Sequence, residues 1–231
     1  MNGKMRMFII CAVFALIISC KNDVNGKALE TSEQSLEIPK QIEQEIKKEF
    51  NGLLNILETK DLSQLDEKDT KEIEKTIKEL KDQIEKTDSK KTSLTTYSEY
   101  EKKVQEIREK LKDKFKNKKE LEDALKGLED SLKNKKEERR QKLEEAQKTF
   151  QELKGKVDGT TGVTDGDKVQ NQREVGQQAL KCANELGFKN MSSNSSDTSN
   201  MTKEIIENSL KKIEEELKNT GEGTQSSEKK K

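Results

Sequence analysis

Apolar residues in this chain return at steps of three and four. Ile73, Ile77, Leu80 and Ile84 step 4-3-4, which keeps them on one side of a helix with 3.6 residues per turn. Helical spacing also carries Ile42, Ile46, Phe50, Leu53, Leu54 and Leu57, then Tyr100, Val104, Ile107, Leu111 and Phe115. It continues through Leu121, Leu125, Leu128 and Leu132, through Leu143, Ala146, Phe150, Leu153 and Val157, and through Ile206, Leu210, Ile213 and Leu217. Between the stripes lies mostly charge. Hydrophobic residues make up 29% of the chain, aromatic residues 3% and charged residues 40%, against about 45–50% apolar and 25% charged in ordinary domains. Barrels, sandwiches and doubly wound sheets need Val, Ile, aromatics and turn glycines in quantity, so they are excluded. The expected fold class is all-α: an elongated, coiled-coil-like helical bundle held by narrow apolar stripes.

The charges also bound the function. Lys plus Arg number 46, as do Asp plus Glu. The signs are finely mixed, which suits i,i+4 pairs on helix surfaces. A neutral total gives no general pull toward nucleic acid. The chain has no His, the commonest general base and metal ligand. No CxxC is present for zinc and no phosphate loop ends in GK[ST]. The many carboxylate pairs have the spacing of a helix surface, not of an acid–base pair in a pocket. The expectation is a non-enzyme with no cofactor and no metal.

The N-terminus has the form of an export signal. Lys4 and Arg6 precede the twelve apolar residues Met7 to Ile18, too few to cross a bilayer as a helix, which takes about 20. The run ends Ile17-Ile18-Ser19-Cys20. An aliphatic residue, a small residue and then Cys resembles the lipobox of bacterial lipoproteins. The resemblance implies cleavage before Cys20, a diacylglyceryl thioether on its sulfur and an acylated amino end. A thiolate is the side chain suited to attack a soft carbon near neutral pH, and several acyl chains anchor stably where one does not. The plainer alternative is an ordinary secretory signal with an incidental Cys. Removing residues 1–19 takes away Cys11, two cations and no carboxylate, which leaves the mature chain at a net charge near −2. With Cys20 acylated, Cys182 would remain alone. It lies on the 4-3-4 pattern Val175, Ala179, Cys182, Leu186, which favours a buried structural thiol over a reactive one or an intermolecular bridge.

The organisation then reads as follows. Residues 20–38 are a lipidated, flexible tether. Residues 39–157 are a charged helical body opened by Pro39, since Pro is common at helix starts. Residues 87–96 form a turn, and Thr96-Tyr97-Ser98-Glu99 fits a capping box for the next helix. From Leu132 to Leu143 no apolar residue intervenes. Either one helix runs on there, about 90 Å long over 97–157, or the chain turns near Asn134. Residues 158–168 are a Gly-rich linker. Residues 169–218 are a C-terminal helical pair, its first helix closed by Gly187 as a C-cap and its second spanning 202–218. Residues 219–231 are a disordered tail.

Two segments carry a family resemblance. The leader MNGKMRMFIICAVFALIISCKN resembles that of the Borrelia Erp surface lipoproteins. Residues 154–218 resemble the C-terminal region of the OspF-related branch, through the TGVT-x-G-D loop, N-Q-x-x-V-G-Q-Q-A-x-x-C-A-N and SLKKIEEELKN. Together they cover somewhat over a third of the chain; the middle matches only as charged helix. The resemblance implies a lipid-anchored outer-membrane protein exposed to the host. It implies adhesion to heparan-sulfate-type glycosaminoglycans. For the wider group it implies recruitment of a host serum protein, such as factor H or plasminogen, for immune evasion.

The ligand-binding candidates are Lys133, Lys135, Lys136, Arg139, Arg140 and Lys142. Their helical spacing puts several cations on a common side, where they would pair with sulfate groups. Glu137 and Glu138 interrupt them, and a solvated helix face is the simpler account. Lys112, Lys114, Lys116, Lys118 and Lys119 form a similar second group. Lys229, Lys230 and Lys231 offer a C-terminal lysine to a kringle or serve only as a solubilising tail.

Overall fold

The apolar stripes become six α-helices in the computed structural model, which describes residues 34–159, 166–189, 191 and 198–218. They are α1 (Gln34–Thr59), α2 (Glu67–Glu85), α3 (Leu94–Leu111), α4 (Lys119–Asp158), α5 (Gly166–Glu185) and α6 (Thr198–Lys218). Short 3₁₀ turns lie at Leu62–Gln64 and Lys112–Asn117. No strand occurs among the described residues. The protein is an all-α bundle, as expected.

Several boundaries differ from the expected ones. α1 begins at Gln34, with Pro39 inside it, so the helix takes in residues 34–38 that were expected in the tether. Proline's fixed φ near −65° is itself a helical value, so the helix passes through it at the cost of one backbone hydrogen bond. α3 starts three residues before the expected capping box. Ser93 is its N-cap and accepts the Thr96 backbone N–H on Oγ at 3.1 Å. The earlier start places Leu94 in the core, 2% exposed, and that burial selects Ser93 over Thr96 as the cap.

The apolar-free stretch after Leu132 is neither a turn nor wholly exposed. α4 runs unbroken for 40 residues, about 60 Å. The chain reverses instead at Lys112–Asn117. At the other end, residues 166–168 of the expected linker already belong to α5. α6 starts at Thr198, four residues earlier than expected.

α4 is the spine of two cores. Its first half packs with α1, α2 and α3 around Ile46, Phe50, Ile77, Leu80, Tyr97, Tyr100, Leu125 and Leu128. The ion pairs Arg108–Glu129 and Lys136–Glu101 run α3 antiparallel to α4. Hydrogen bonds from Ser131 to Glu85 and from Lys118 to Thr70 set α2 parallel to α4. Lys47–Glu99 and Lys110–Glu58 set α1 parallel to α3. The result is an up-down-up-down four-helix bundle.

The second half of α4 packs with α5 and α6 around Leu143, Phe150, Val157, Ala179, Ala183, Ile206 and Ile213. Lys203–Asp158 and Lys154–Glu207 run α6 antiparallel to α4. α5 and α6 point the same way, with Thr202 Oγ1 donating to the Gln172 carbonyl at 3.3 Å. Parallel neighbours need a return between them. It starts at Gly187 (φ 75°), where the Gly187 N–H reaches the Asn184 carbonyl and the Phe188 N–H the Ala183 carbonyl, both at 3.0 Å. That is a Schellman cap, and Gly187 is the C-cap glycine that the sequence indicates.

Candidate functional site

The six candidate cations all lie on α4, but they do not form one face. At about 100° per residue, Lys133, Lys136 and Arg140 share one side and Lys135, Arg139 and Lys142 the other. The first three line a cleft of about 590 Å³ between α3 and α4, together with Glu101, Glu129, Glu137, Gln105 and Val104. Lys136 Nζ sits 2.7 Å from Glu101, and Arg140 Nε 3.2 Å from Glu144. On a shared wall Arg108 grips Glu129 with two hydrogen bonds of 2.6 and 2.7 Å. Lys133 is exposed and makes no ion pair among the described residues.

The other three face inward or along the helix. Lys142 lies 3.1 Å from Glu145. Lys135 donates to the Thr87 carbonyl at 3.0 Å. Arg139 is buried, its side chain 1% exposed. It therefore cannot contact a surface ligand in this fold, and its place among the candidate binding residues is corrected. The guanidinium holds Glu216 through Nε at 2.9 Å and Nη2 at 2.8 Å. Nη1 donates to the Lys90 and Leu186 carbonyls, and the group lies 5.9 Å from the centre of the Phe188 ring. Glu216 also accepts the Leu94 backbone N–H at 2.8 Å, an otherwise orphan donor in the first turn of α3. One arginine thus ties the α2–α3 loop, the end of α5, the end of α6 and the start of α3 to the middle of α4. We call this level the waist, where the two cores meet.

Sequence reasoning missed this arrangement, although a signal was present. Position 139 is seven residues after Leu132 and four before Leu143, so it continues their stripe. A charged residue at a core register has to be paired in the fold. Its partner Glu216 lies within the SLKKIEEELKN motif.

The second lysine group does not share a helix face. Lys112, Lys114 and Lys116 lie in the 3₁₀ turn, while Lys118 precedes α4 and donates to Thr70. Cys182 is buried in the second core, as expected. The signal peptide, Cys20, the tether up to residue 33, linker residues 160–165 and Lys229–Lys231 lie outside the described residues.

Among the described residues no group of His, Cys, Asp and Glu is placed to hold a metal ion, and no helix is long and apolar enough to cross a membrane. No protein-family model, curated protein or solved structure matches the chain.

Proposed function

We propose that this chain is a lipid-anchored protein of a bacterial outer membrane, displayed to a host and acting by binding instead of catalysis. The ligand is a sulfated glycosaminoglycan of the heparan-sulfate type, met at the α3–α4 cleft by Lys133, Lys136 and Arg140. One observation carries the reading: these three cations line a single solvent-open cleft. The anchor is the acylated Cys20, as the lipobox resemblance implies. Cys20→Ser should move the protein out of the membrane fraction, and protease treatment of intact cells should remove the body of the anchored form.

Glu101, Glu129 and Glu137 share the cleft with those cations. A sulfate group must therefore draw Lys136 away from Glu101, and binding should be weak and steeply salt-dependent. Immobilised heparin should retain full-length Cys20→Ser protein at low salt and release it as salt rises. The double variant Lys133→Glu, Arg140→Glu should pass through unretained. Absence of low-salt retention in the parent protein would overturn the glycosaminoglycan reading.

The same balance of signs favours a second reading. A cleft with equal numbers of cations and carboxylates complements a protein surface bearing both charges. The ligand is then a host serum protein such as factor H or plasminogen. Purified regulator would bind saturably, and its capture should fall in the cleft variant Lys133→Glu, Arg140→Glu.

A further inference from the structure

About half of the lysines on this rod have carboxylate partners. Lys47, Lys71, Lys75, Lys78, Lys81 and Lys110, for example, each sit within 4 Å of a carboxylate. Others make none among the described residues, Lys133 among them, and four of these belong to segments that meet at the waist: Lys40 on α1, Lys90 in the α2–α3 loop, Lys189 after α5 and Lys212 on α6. The fold gathers these segments. Lys212 Nζ donates to the Lys189 carbonyl at 2.8 Å and lies 5.8 Å from the Phe188 ring centre. Arg139 holds the Lys90 carbonyl. Gly187, two residues before Lys189, packs on the backbone of Lys91: a Cβ there would lie 3.1 Å from the Lys91 carbonyl oxygen. Lys40 and Lys189 bring their ammonium groups together, which holds Lys189 below the ordinary lysine value, with desolvation adding to the effect.

The carboxylates nearby each have other commitments as well. Glu43 is half-buried: desolvation raises its pKa, the charges of Lys47 and Lys189 oppose that shift, and it is a counter-charge to Lys189. Asp88 accepts the Lys90 backbone N–H at 2.9 Å. Glu216 is committed to Arg139 and Leu94. Glu99 is paired with Lys47.

The waist is also where the anchored end of the chain arrives. α1 starts at Gln34, six residues or about 9 Å along the helix from Lys40. Gln34 lies fourteen positions after Cys20, a span of at most about 50 Å. We propose that the lysine collar Lys40, Lys90, Lys189 and Lys212 is a docking surface for the anionic phospholipid headgroups of the bilayer that holds the anchor, so that the rod lies side-on with its waist against the membrane. This inference rests on the lipid-anchor reading for its geometry. Anionic lipid attracts such lysines by about fivefold in partition for each one near the surface.

The test uses the mature chain from position 20 with Cys20→Ser, made without the leader, so that vesicle binding owes nothing to acylation or to the apolar run 7–18. It is sedimented with phosphatidylcholine vesicles with and without a one-third share of phosphatidylglycerol. The collar variant Lys40→Gln, Lys189→Gln, Lys212→Gln is compared with the cleft variant Lys133→Gln, Arg140→Gln. A collar variant confined to the exposed Lys40 and Lys189 guards against disturbance of the Lys212–Phe188 contact, and helicity is checked by circular dichroism. The expected result is binding that requires phosphatidylglycerol, falls at least tenfold in the triple collar variant, falls in the double variant too and holds in the cleft variant. Binding indifferent to phosphatidylglycerol, or equal losses in collar and cleft variants, would overturn the proposal. So would loss of heparin retention by a collar variant whose vesicle binding is intact. Membrane fractionation of Cys20→Ser in cells reports on the anchor separately, so failure of either idea is distinguishable from failure of the other.

Discussion

Arg139 shows how one residue can serve a fold against its composition. Burying a guanidinium is costly unless charge and hydrogen bonds are both met. Here one carboxylate, two carbonyls and an aromatic face meet them. The energetic consequence is asymmetric. Replacing Arg139 by Ala leaves Glu216, only 11% exposed, without its counter-charge, and strips two carbonyls of a donor. Breaking a buried pair in this way costs about 3–5 kcal/mol. Arg139→Ala should therefore lower stability by that order in urea titration, whereas Lys133→Ala, on the exposed side of the same helix, should change it by less than about 0.5 kcal/mol. Similar small losses for both would mean that the waist pair holds little of the fold together. The stripe through Leu132 and Leu143 was legible in the sequence, and so was its interruption. What a single sequence lacks is the partner: Glu216 lies 77 positions away, and many carboxylates share its local pattern.

At the scale of elements, helices with persistent apolar spacing were legible because that spacing dictates which side is buried. α2 buries Ile73, Ile77, Leu80 and Ile84, all four residues of its stripe. Boundaries were less legible, because caps compete locally. Ser93 and Thr96 are both acceptable N-caps, and burial of Leu94, a tertiary effect, decides between them. The cleft was half legible. Helical spacing places Glu129, Lys133, Lys136 and Arg140 together, but the carboxylate of Glu101 comes from α3, which no local pattern shows. The α1–α2 interface holds an imperfection of the same tertiary kind. Gln83 Nε2 donates to Glu49 Oε1, while Glu49 Oε2 and Gln83 Oε1 are buried without a hydrogen-bond partner. Two acceptors share this seam with no protein donor between them. Glu49→Gln supplies an N–H in the same shape, so the two amides would exchange hydrogen bonds. Thermal unfolding should show Glu49→Gln more stable than the parent by about 1 kcal/mol, and a lower midpoint would show that the carboxylate is needed there.

At the scale of the whole molecule, two cores hang on one continuous helix, and the two tyrosines of the chain sit in only one of them. Tyr97 and Tyr100 are fully buried in the four-helix core. Burial raises Tyr97 from 10.0 to about 12, and raises Tyr100 further. Below pH 10 folded and unfolded chains both keep the phenol protons, so this contribution to stability is complete. Between pH 10 and about 12 the unfolded chain releases them and the native chain does not. Stability must then fall as pH rises, by about 1.4 kcal/mol per pH unit for each tyrosine. Alkali thus acts selectively on the α1–α4 bundle. Whether α5 and α6 follow depends on the waist. With Arg139 and Glu216 intact, the second core loses its anchorage when the loop at Lys90 and the start of α3 come apart. Amide exchange of α2 and of α6 should accelerate together as pH is raised through that window, after correction for intrinsic exchange rates. In Arg139→Met paired with Glu216→Leu, an apolar replacement that removes both charges, the two should separate, with α6 staying protected after α2 has opened. Joint loss of protection in that double variant would assign the coupling to the continuity of α4 instead of to the buried ion pair.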